Sequence, residues 1–240
     1  MEYQSFAIGF QRELRRERMP DVKIIDLKKK VLLDNEVEAK RLREEMKADG
    51  TYYINLMSSP GSGKTSTILN ILKRLPKDVK AAVMEADIDS DVDAITIEKM
   101  GVRAIQLHTE GMCHLDADMS RQGLRELPSE DYDIVILENV GNLVCPAEFD
   151  SGSALNMCIL SITEGHDKPL KYPLMFETCD VVIINKIDAM EVFDFDMEKA
   201  VEYIKLRNEK AKIFPVSAKT GEGFEELVEE LLERSKDYRK

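Results

Sequence analysis

The chain has 240 residues, 43% of them hydrophobic and 33% charged, with a formal net charge of -12; that is room for one sizeable α/β domain and an appended segment, but not for two full domains. No run approaches the roughly 18 consecutive apolar residues that span a bilayer, and so large an acidic excess repels a polyphosphate backbone at long range, so neither a membrane nor a nucleic acid is expected as a partner. Four cysteines without a CxxC pair argue against a disulfide framework, and Arg15-Arg16 is followed by charges and a proline instead of the apolar core of a secretory signal, so a cytoplasmic location is expected.

Residues 1–50 carry no strong strand pattern. Arg12, Arg15, Arg16, Arg18 and Lys28 to Lys30 cluster there and read as a solvated face or arm. From Asn35 to Asp49, Val37, Ala39, Leu42 and Met46 fall at helical spacing, and Gly50 ends the run. A helical N-terminal extension is expected over 1–50. From Tyr52 onward, apolar runs alternate with amphipathic segments, the pattern of βα units around a buried, mostly parallel sheet flanked by helices. Strands are expected at Tyr52 to Met57, Val79 to Met84, Val102 to Leu107, Asp133 to Leu137, Met157 to Ile162, Val181 to Ile184 and Lys212 to Val216. Helices are expected near Lys64 to Leu75, Val92 to Met100, Leu115 to Leu127, Lys171 to Glu177, Met197 to Arg207 and Gly223 to Ser235. Ligands of such sheets gather at the carboxyl ends of the strands.

The first strand is followed by Ser58-Ser59-Pro60-Gly61-Ser62-Gly63-Lys64-Thr65, and then by a helix opening at Ser66. Glycines let the backbone wrap around phosphates, amides and a helix N-terminus supply positive potential, Lys64 adds a point charge, and Thr65 offers a hydroxyl to Mg2+. Ser58 stands where the first glycine of this pattern usually stands, a position that needs a tight turn more than a particular side chain. The fold class is therefore a three-layer α/β P-loop NTPase over residues 51–240. After the second strand, Glu85-Ala86-Asp87-Ile88-Asp89 takes the place of a first switch; Asp91 is expected to cap the next helix.

The third strand leads into Thr109-Glu110-Gly111-Met112-Cys113-His114-Leu115-Asp116-Ala117, and the fourth into Glu138-Asn139-Val140-Gly141-Asn142-Leu143-Val144-Cys145-Pro146. Both segments leave the same edge of the sheet, so the fold can bring Cys113, His114 and Cys145 together. Three such donors suit Zn2+ or Ni2+ and leave a position open, although an adjacent Cys-His pair is also what chance supplies. Gly141 can bring its amide to a γ-phosphate. Lys64, Asp87 and Glu138 are the expected catalytic groups, with Thr65, Asp87 and Glu138 on Mg2+ and Asp89 ranked behind them. No glutamine stands where Ras-like enzymes place one. Cys158 and Cys179 read as small buried apolar groups, and His108 and His166 as local hydrogen-bonding partners.

After the sixth strand, Asn185-Lys186-Ile187-Asp188 supplies a carboxylate able to accept from guanine N1 and N2, a pairing adenine cannot offer. Lys186 covers one base face, and Asn185 anchors the loop. Ser217-Ala218-Lys219 follows the last strand and resembles a second guanine loop, so GTP and GDP are the expected nucleotides.

These segments, together with Thr163-Glu164-Gly165-His166-Asp167-Lys168-Pro169-Leu170-Lys171-Tyr172-Pro173, resemble the hydrogenase nickel-incorporation (maturation) GTPases, the HypB family, from about Asn35 to the C-terminus. The Cys-His-Leu-Asp-Ala and Glu-Asn-Val-Gly-Asn-Leu-Val-Cys-Pro strings are the specific part. The resemblance implies a GTPase of the signal-recognition and Min-like class that pairs with a second copy when GTP binds and helps load nickel into [NiFe]-hydrogenase. It also implies a metal at Cys113, His114 and Cys145 at the subunit interface, and hydrogenase accessory proteins and the hydrogenase large subunit as partners. Many members carry an N-terminal Cys-rich or His-rich nickel tract; no cysteine precedes Cys113 here and only three histidines occur, so tight metal storage is not expected. The rivals are a urease-type nickel-delivery GTPase, whose Cys-Pro-His triplet would need a histidine where Ala147 stands, a P-loop small-molecule kinase, and a non-enzymatic metal-holding scaffold.

Overall fold

The computed structural model describes residues 27–87, 92–109, 111–127 and 131–240, and the side chains within them except those of 27–30, 87, 92 and 93. The chain divides into Met1–Val31 and Leu32–Lys240, and all seven strands belong to the second unit. The basic cluster at Arg12 to Lys30 lies outside the described side chains.

In chain order the elements are α1 (Leu27–Asp49), β1 (Tyr52–Ser58), α2 (Lys64–Arg74), β2 (Ala81–Asp87), α3 (Val92–Glu98), β3 (Arg103–His108), α4 (Ala117–Glu126), β4 (Ile134–Glu138) and α5 (Cys145–Glu148). They continue with β5 (Leu155–Ser161), α6 (Lys168–Lys171), α7 (Pro173–Thr178), β6 (Val181–Asn185), α8 (Met197–Arg207), β7 (Lys212–Val216) and α9 (Phe224–Tyr238). The strands form one sheet in the order β3-β2-β4-β1-β5-β6-β7, with every pairing parallel.

Every residue of β1, β4 and β6 is buried, which explains their continuous apolar sequences: a parallel strand covered on both faces has no solvent side to mark. Tyr52, Ile54 and Leu56 meet α2 and α9 through Ile68, Ile71, Phe224 and Leu227. Tyr53, pointing the other way, packs with Leu42, Met46, Leu115 and Leu124. The edge strands β3 and β7 are partly exposed, and β7 tolerates Pro215 because an edge strand has ladder positions that need no donor.

Two boundaries differ from the sequence expectation for identifiable reasons. β2 begins at Ala81 and runs on through Glu85 to Asp87, because it is paired on both sides: Glu85 faces Gln106 and Glu138, and Asp87 faces His108. Backbone pairing, not apolar character, decides where it ends, so Glu85 to Asp87 are strand residues and not the start of a loop. The helix expected at Lys171 to Glu177 is two short ones, α6 and α7, broken at Tyr172 before Pro173, since a residue preceding proline is pushed out of the helical region.

α1 starts earlier than the periodicity indicates and ends as expected. Gly50 takes a left-handed φ of 75° while Thr51 N–H donates to Met46 O at 3.0 Å, closing the helix in a Schellman turn. Its buried stripe is Asn35, Ala39, Leu42 and Met46. Val37, counted into that stripe from the sequence, is 67% exposed, because at 100° per residue it lies across the helix from Ala39. Leu42 is fully buried. Leu42→Ala should therefore cost about 2–5 kcal/mol, read from the urea midpoint; a loss below about 1 kcal/mol would mean that α1 is not part of the core.

Candidate nucleotide and metal site

The loop between β1 and α2 takes its shape from two glycines. Gly61 and Gly63 have φ of 73° and 100°, a region closed to most side chains. Ser58 is still in β1 and outside that region, so nothing in its backbone calls for glycine; its hydroxyl accepts from Ser62 Oγ at 2.5 Å and donates to Ser59 O at 2.8 Å, which braces the loop from inside. α2 opens at Lys64 with no side-chain cap, so the first amides of an 11-residue helix are left to a ligand.

A cleft of about 450 Å3 runs along these amides, lined by Pro60, Gly61, Gly63, Lys64, Thr65, Ser66, Glu85, Gln106, Glu138 and Gly141 among others. Glu138 Oε1 accepts from Thr65 Oγ1 at 3.1 Å and lies 4.0 Å from Lys64 Nζ. All three are oxygens or a charge held away from bulk water, where electrostatic interactions are stronger than at a surface. A hydroxyl and a carboxylate side by side are the hard oxygen donors Mg2+ takes. Asp87 ends β2 but its side chain lies outside the described ones, as do Asp89, Asp91 and the side chain of Asp93. Gly141 sits against the loop: a Cβ there would come within 3.0 Å of Pro60 Cγ.

A second cleft of about 330 Å3 adjoins the first through Gly63 and Ser66 and is lined by Thr163, Asn185, Lys186, Asp188, Phe193, Ala218 and Lys219. Asn185 joins three loops. Its Nδ2 donates to Ser62 O at 2.9 Å, and its Oδ1 accepts from Lys186 N at 2.7 Å and Ala218 N at 3.0 Å. Lys186 adopts a left-handed φ of 70° and donates through Nζ to Gly61 O at 2.8 Å, laying its stem across the cleft. Asp188 accepts from Ser217 Oγ at 2.6 Å and has Lys219 Nζ at 3.8 Å. Ser59 and Ser62 belong to the loop wall. Thr163 and Phe193 were not among the sequence candidates for the nucleotide site: Thr163 opens the Thr163 to Pro173 string but carried no assigned role there, Phe193 lies in no recognisable motif, and the fold brings both to this cleft.

On the other side of the phosphate cleft, the segments after β3 and β4 converge. Cys113 Sγ donates to Cys145 Sγ at 2.8 Å and lies 3.9 Å from His114 Nδ1. One ligand atom from each of Cys113, His114 and Cys145 falls within 4.8 Å of the others. The His114 ring stacks on Phe149 with centroids 3.8 Å apart, which fixes its plane. Partial burial lowers the His114 pKa against the pull of Asp116 and Glu148, favouring the neutral ring a metal binds. The Cys145 thiol is pushed up, first by its hydrogen bond with Cys113 and then by burial, so an incoming ion displaces a proton. Two thiols and an imidazole that converge at the surface are a donor set for Ni2+ or Zn2+.

The metal and phosphate regions are continuous. The loop that begins at Glu138 reaches Cys145 seven residues later, and Asn142 Nδ2 donates to Cys113 O at 3.3 Å. The root of this loop is held by a buried relay: Asn139 Nδ2 donates to Asn55 Oδ1 and Asn55 Nδ2 to Asn156 Oδ1, each at 3.0 Å, while Asn139 Oδ1 accepts from Val140 N. Cys158 and Cys179 are buried in an apolar cluster, His166 accepts from Asp196 N at 3.3 Å, and His108 ends β3.

Residues 52–215 match the family model described as CobW/HypB/UreG, nucleotide-binding domain. The chain is 41% identical over 206 residues to the hydrogenase maturation factor HypB of Azotobacter chroococcum mcd 1, covering 86% of this chain and 68% of that protein. It is 40% identical to the hydrogenase/urease maturation factor HypB of Helicobacter pylori (strain ATCC 700392 / 26695), covering 90% and 89%. A crystal structure of HypB from Helicobacter pylori in complex with nickel superposes with a TM-score of 0.81 at 39% identity, covering 86% of this chain and 97% of that one.

Gly63 is the tightest point of the nucleotide site. A Cβ there would meet Asn185 Nδ2 at 2.5 Å on a backbone that L side chains avoid. Gly63→Ala should lower GDP affinity by about tenfold to a hundredfold in isothermal titration, with the far-UV spectrum kept; an unchanged affinity would mean that this loop does not cradle phosphate.

Proposed function

The chain belongs to the CobW/HypB/UreG family, among the relatives of the hydrogenase maturation factors, and on that footing we propose that it is a GTP-hydrolysing metallochaperone that delivers nickel to [NiFe]-hydrogenase. One observation carries the reading: a single loop connects Glu138, in the phosphate cleft, with Cys145, in the Cys113–His114–Cys145 cluster. What happens at a γ-phosphate is thereby linked mechanically to what holds a metal.

The assigned roles follow from chemistry. Lys64 and the amides of Gly61 to Ser66 hold the β- and γ-phosphates of GTP, with Ser59 and Pro60 leading into the loop. Asp188 accepts from the guanine edge, with Asn185, Lys186, Ser217, Ala218 and Lys219 shaping the pocket. Thr65 and Glu138, with Asp87, would hold Mg2+, which offsets phosphate charge when bound. The nucleotide domain is taken as residues 51–240, and the helical part of 1–50 braces it.

GTP brings Gly141 and its loop against the γ-phosphate, and two subunits pair. The exposed faces of Met112 and Val144, 46% and 48% exposed and each immediately before a cysteine ligand, support a pairing surface around the metal. Nickel is the cargo held there by Cys113, His114 and Cys145, with Zn2+ as the competing ion. Loss of the γ-phosphate relaxes the loop and releases the ion to hydrogenase accessory proteins and the hydrogenase large subunit in the cytoplasm. Among the described residues, no helix is long and apolar enough to cross a membrane. A urease-type delivery role is the second reading, because the Helicobacter pylori relative carries urease in its name; Ala147 after Cys145-Pro146 weighs against it.

Release of phosphate from GTP with water as the sole acceptor is expected, and Lys64→Ala should lower it by at least about a hundredfold; GTP consumption only with an added acceptor, which takes up the phosphoryl group, would instead identify a kinase. Asp188→Ala should reduce the preference for GTP over ATP by about a hundredfold or more in competition binding, and an unchanged preference would remove Asp188 from base recognition. In solution, the mass should double with a non-hydrolysable GTP analogue but not with GDP. A monomer in both states would refute nucleotide-dependent pairing.

A further inference from the structure

Asn35 is a poor choice for a helix interior on propensity grounds, yet it stands on the buried stripe of α1 at 9% exposure. A buried carboxamide costs free energy unless its polar atoms are bonded, and both are. Its Oδ1 accepts from Ala117 N at 2.9 Å, and its Nδ2 donates to Asp150 O at 3.0 Å.

Those two partners lie on different ligand arms. Ala117 is the first residue of α4, three positions after His114, and its amide is one of the groups a helix start leaves without an internal partner; the capping carboxylate of Asp116 goes to Met119 N instead. Asp150 follows Phe149, whose ring stacks on His114, and lies five positions after Cys145. One side chain therefore ties the arm of Cys113 and His114 to the arm of Cys145.

α1 reinforces the tie on both sides. Arg43 donates to Ser153 O at 2.8 Å and pairs with the Asp150 carboxylate. Leu42 fills the space where a Cβ at Gly152 would stand. Glu38 and Glu45 hold Arg121 of α4 at 2.6 and 3.1 Å.

We propose that Asn35 is a positioning residue for the nickel site: by fixing one ligand arm against the other, it sets the separation of the three donors and hence the affinity for the ion. The inference rests on the reading of Cys113, His114 and Cys145 as the nickel ligands. It makes α1 an input to metal affinity that touches neither the ion nor the nucleotide.

The test is a titration of Ni2+ against a competing chelator with the full chain, together with the thiolate-to-nickel charge-transfer spectrum and the GDP affinity. Asn35→Ala should weaken nickel binding by about ten- to a hundredfold and shift the charge-transfer band, with GDP affinity unchanged. Asn35→Asp keeps an acceptor for Ala117 N but loses the donor to Asp150 O, and should also weaken nickel; it decides the matter if Asn35→Ala no longer binds GDP. Val37→Ala, on the exposed face of the same helix, should leave nickel affinity as it is. Native nickel affinity in the Asn35 variants, with binding lost in Cys113→Ala, overturns the role of Asn35 and leaves the nickel site standing. Nickel binding that survives Cys113→Ala overturns the site and this inference with it.

Discussion

The side-chain amide of Asn185 is the joint on which the nucleotide half of the molecule depends. Buried at the end of β6, it bonds to Ser62, Lys186 and Ala218 at once, so the phosphate loop and both base-facing loops take their relative positions from one planar group. Its presence leaves no room for a side chain at Gly63, and its own position is set by a strand whose every residue is buried. The two clefts are thus spaced by the rigid part of the fold and not by the loops themselves, the kind of preorganisation that lowers the ordering cost of binding.

The parallel sheet then puts the metal cluster within reach of the same pocket. Because every strand runs the same way, the exits of β1, β2, β3 and β4 open on one edge, where Pro60, Glu85, Glu138 and Gly141 share a cleft. The contact of Gly141 with Pro60 and the bond from Asn142 to Cys113 O complete a chain of packed groups from the phosphate loop to a thiol. Coupling of two ligands requires an element that both of them bias, and on the proposed function residues 138–145 are the candidate for it.

Much of this was legible in the sequence, and the failures have physical causes. The order of βα units and the all-buried strands follow from local pattern, as do the places of the loops after β1, β6 and β7, and the family likeness follows from the strings around Cys113 and Cys145. Strand ends were less legible: Glu85 and Asp87 are polar, yet are drawn into β2, Glu85 by pairing with both β3 and β4 and Asp87 by pairing with β3. Val37 was misassigned because its apolar character was counted and its azimuth, about 200° from Ala39 at 100° per residue, was not. The buried amides of Asn35, Asn55 and Asn139 escaped notice altogether, since a polar residue in sequence reads as surface and only its partners, 82 or more positions away, reveal otherwise. Phe193 carries no motif, and Thr163 lies in a family string that says nothing of a nucleotide; their place is found only by their cleft.

The asparagine relay from Asn139 through Asn55 to Asn156 has a mechanical meaning. It joins the residue after β4 to β1 and β5, and its inner bond, from Asn139 to Asn55, is buried, so the root of the loop is held where solvent does not reach. The segment from Gly141 to Cys145 is held nearer the surface, by Gly141 against Pro60 and by Asn142, which donates to Cys113 O and accepts from Val144 N. On the proposed role, Asn139 is the fixed inner end of that segment, anchored to the sheet, and the sulfur of Cys145 is its outer end.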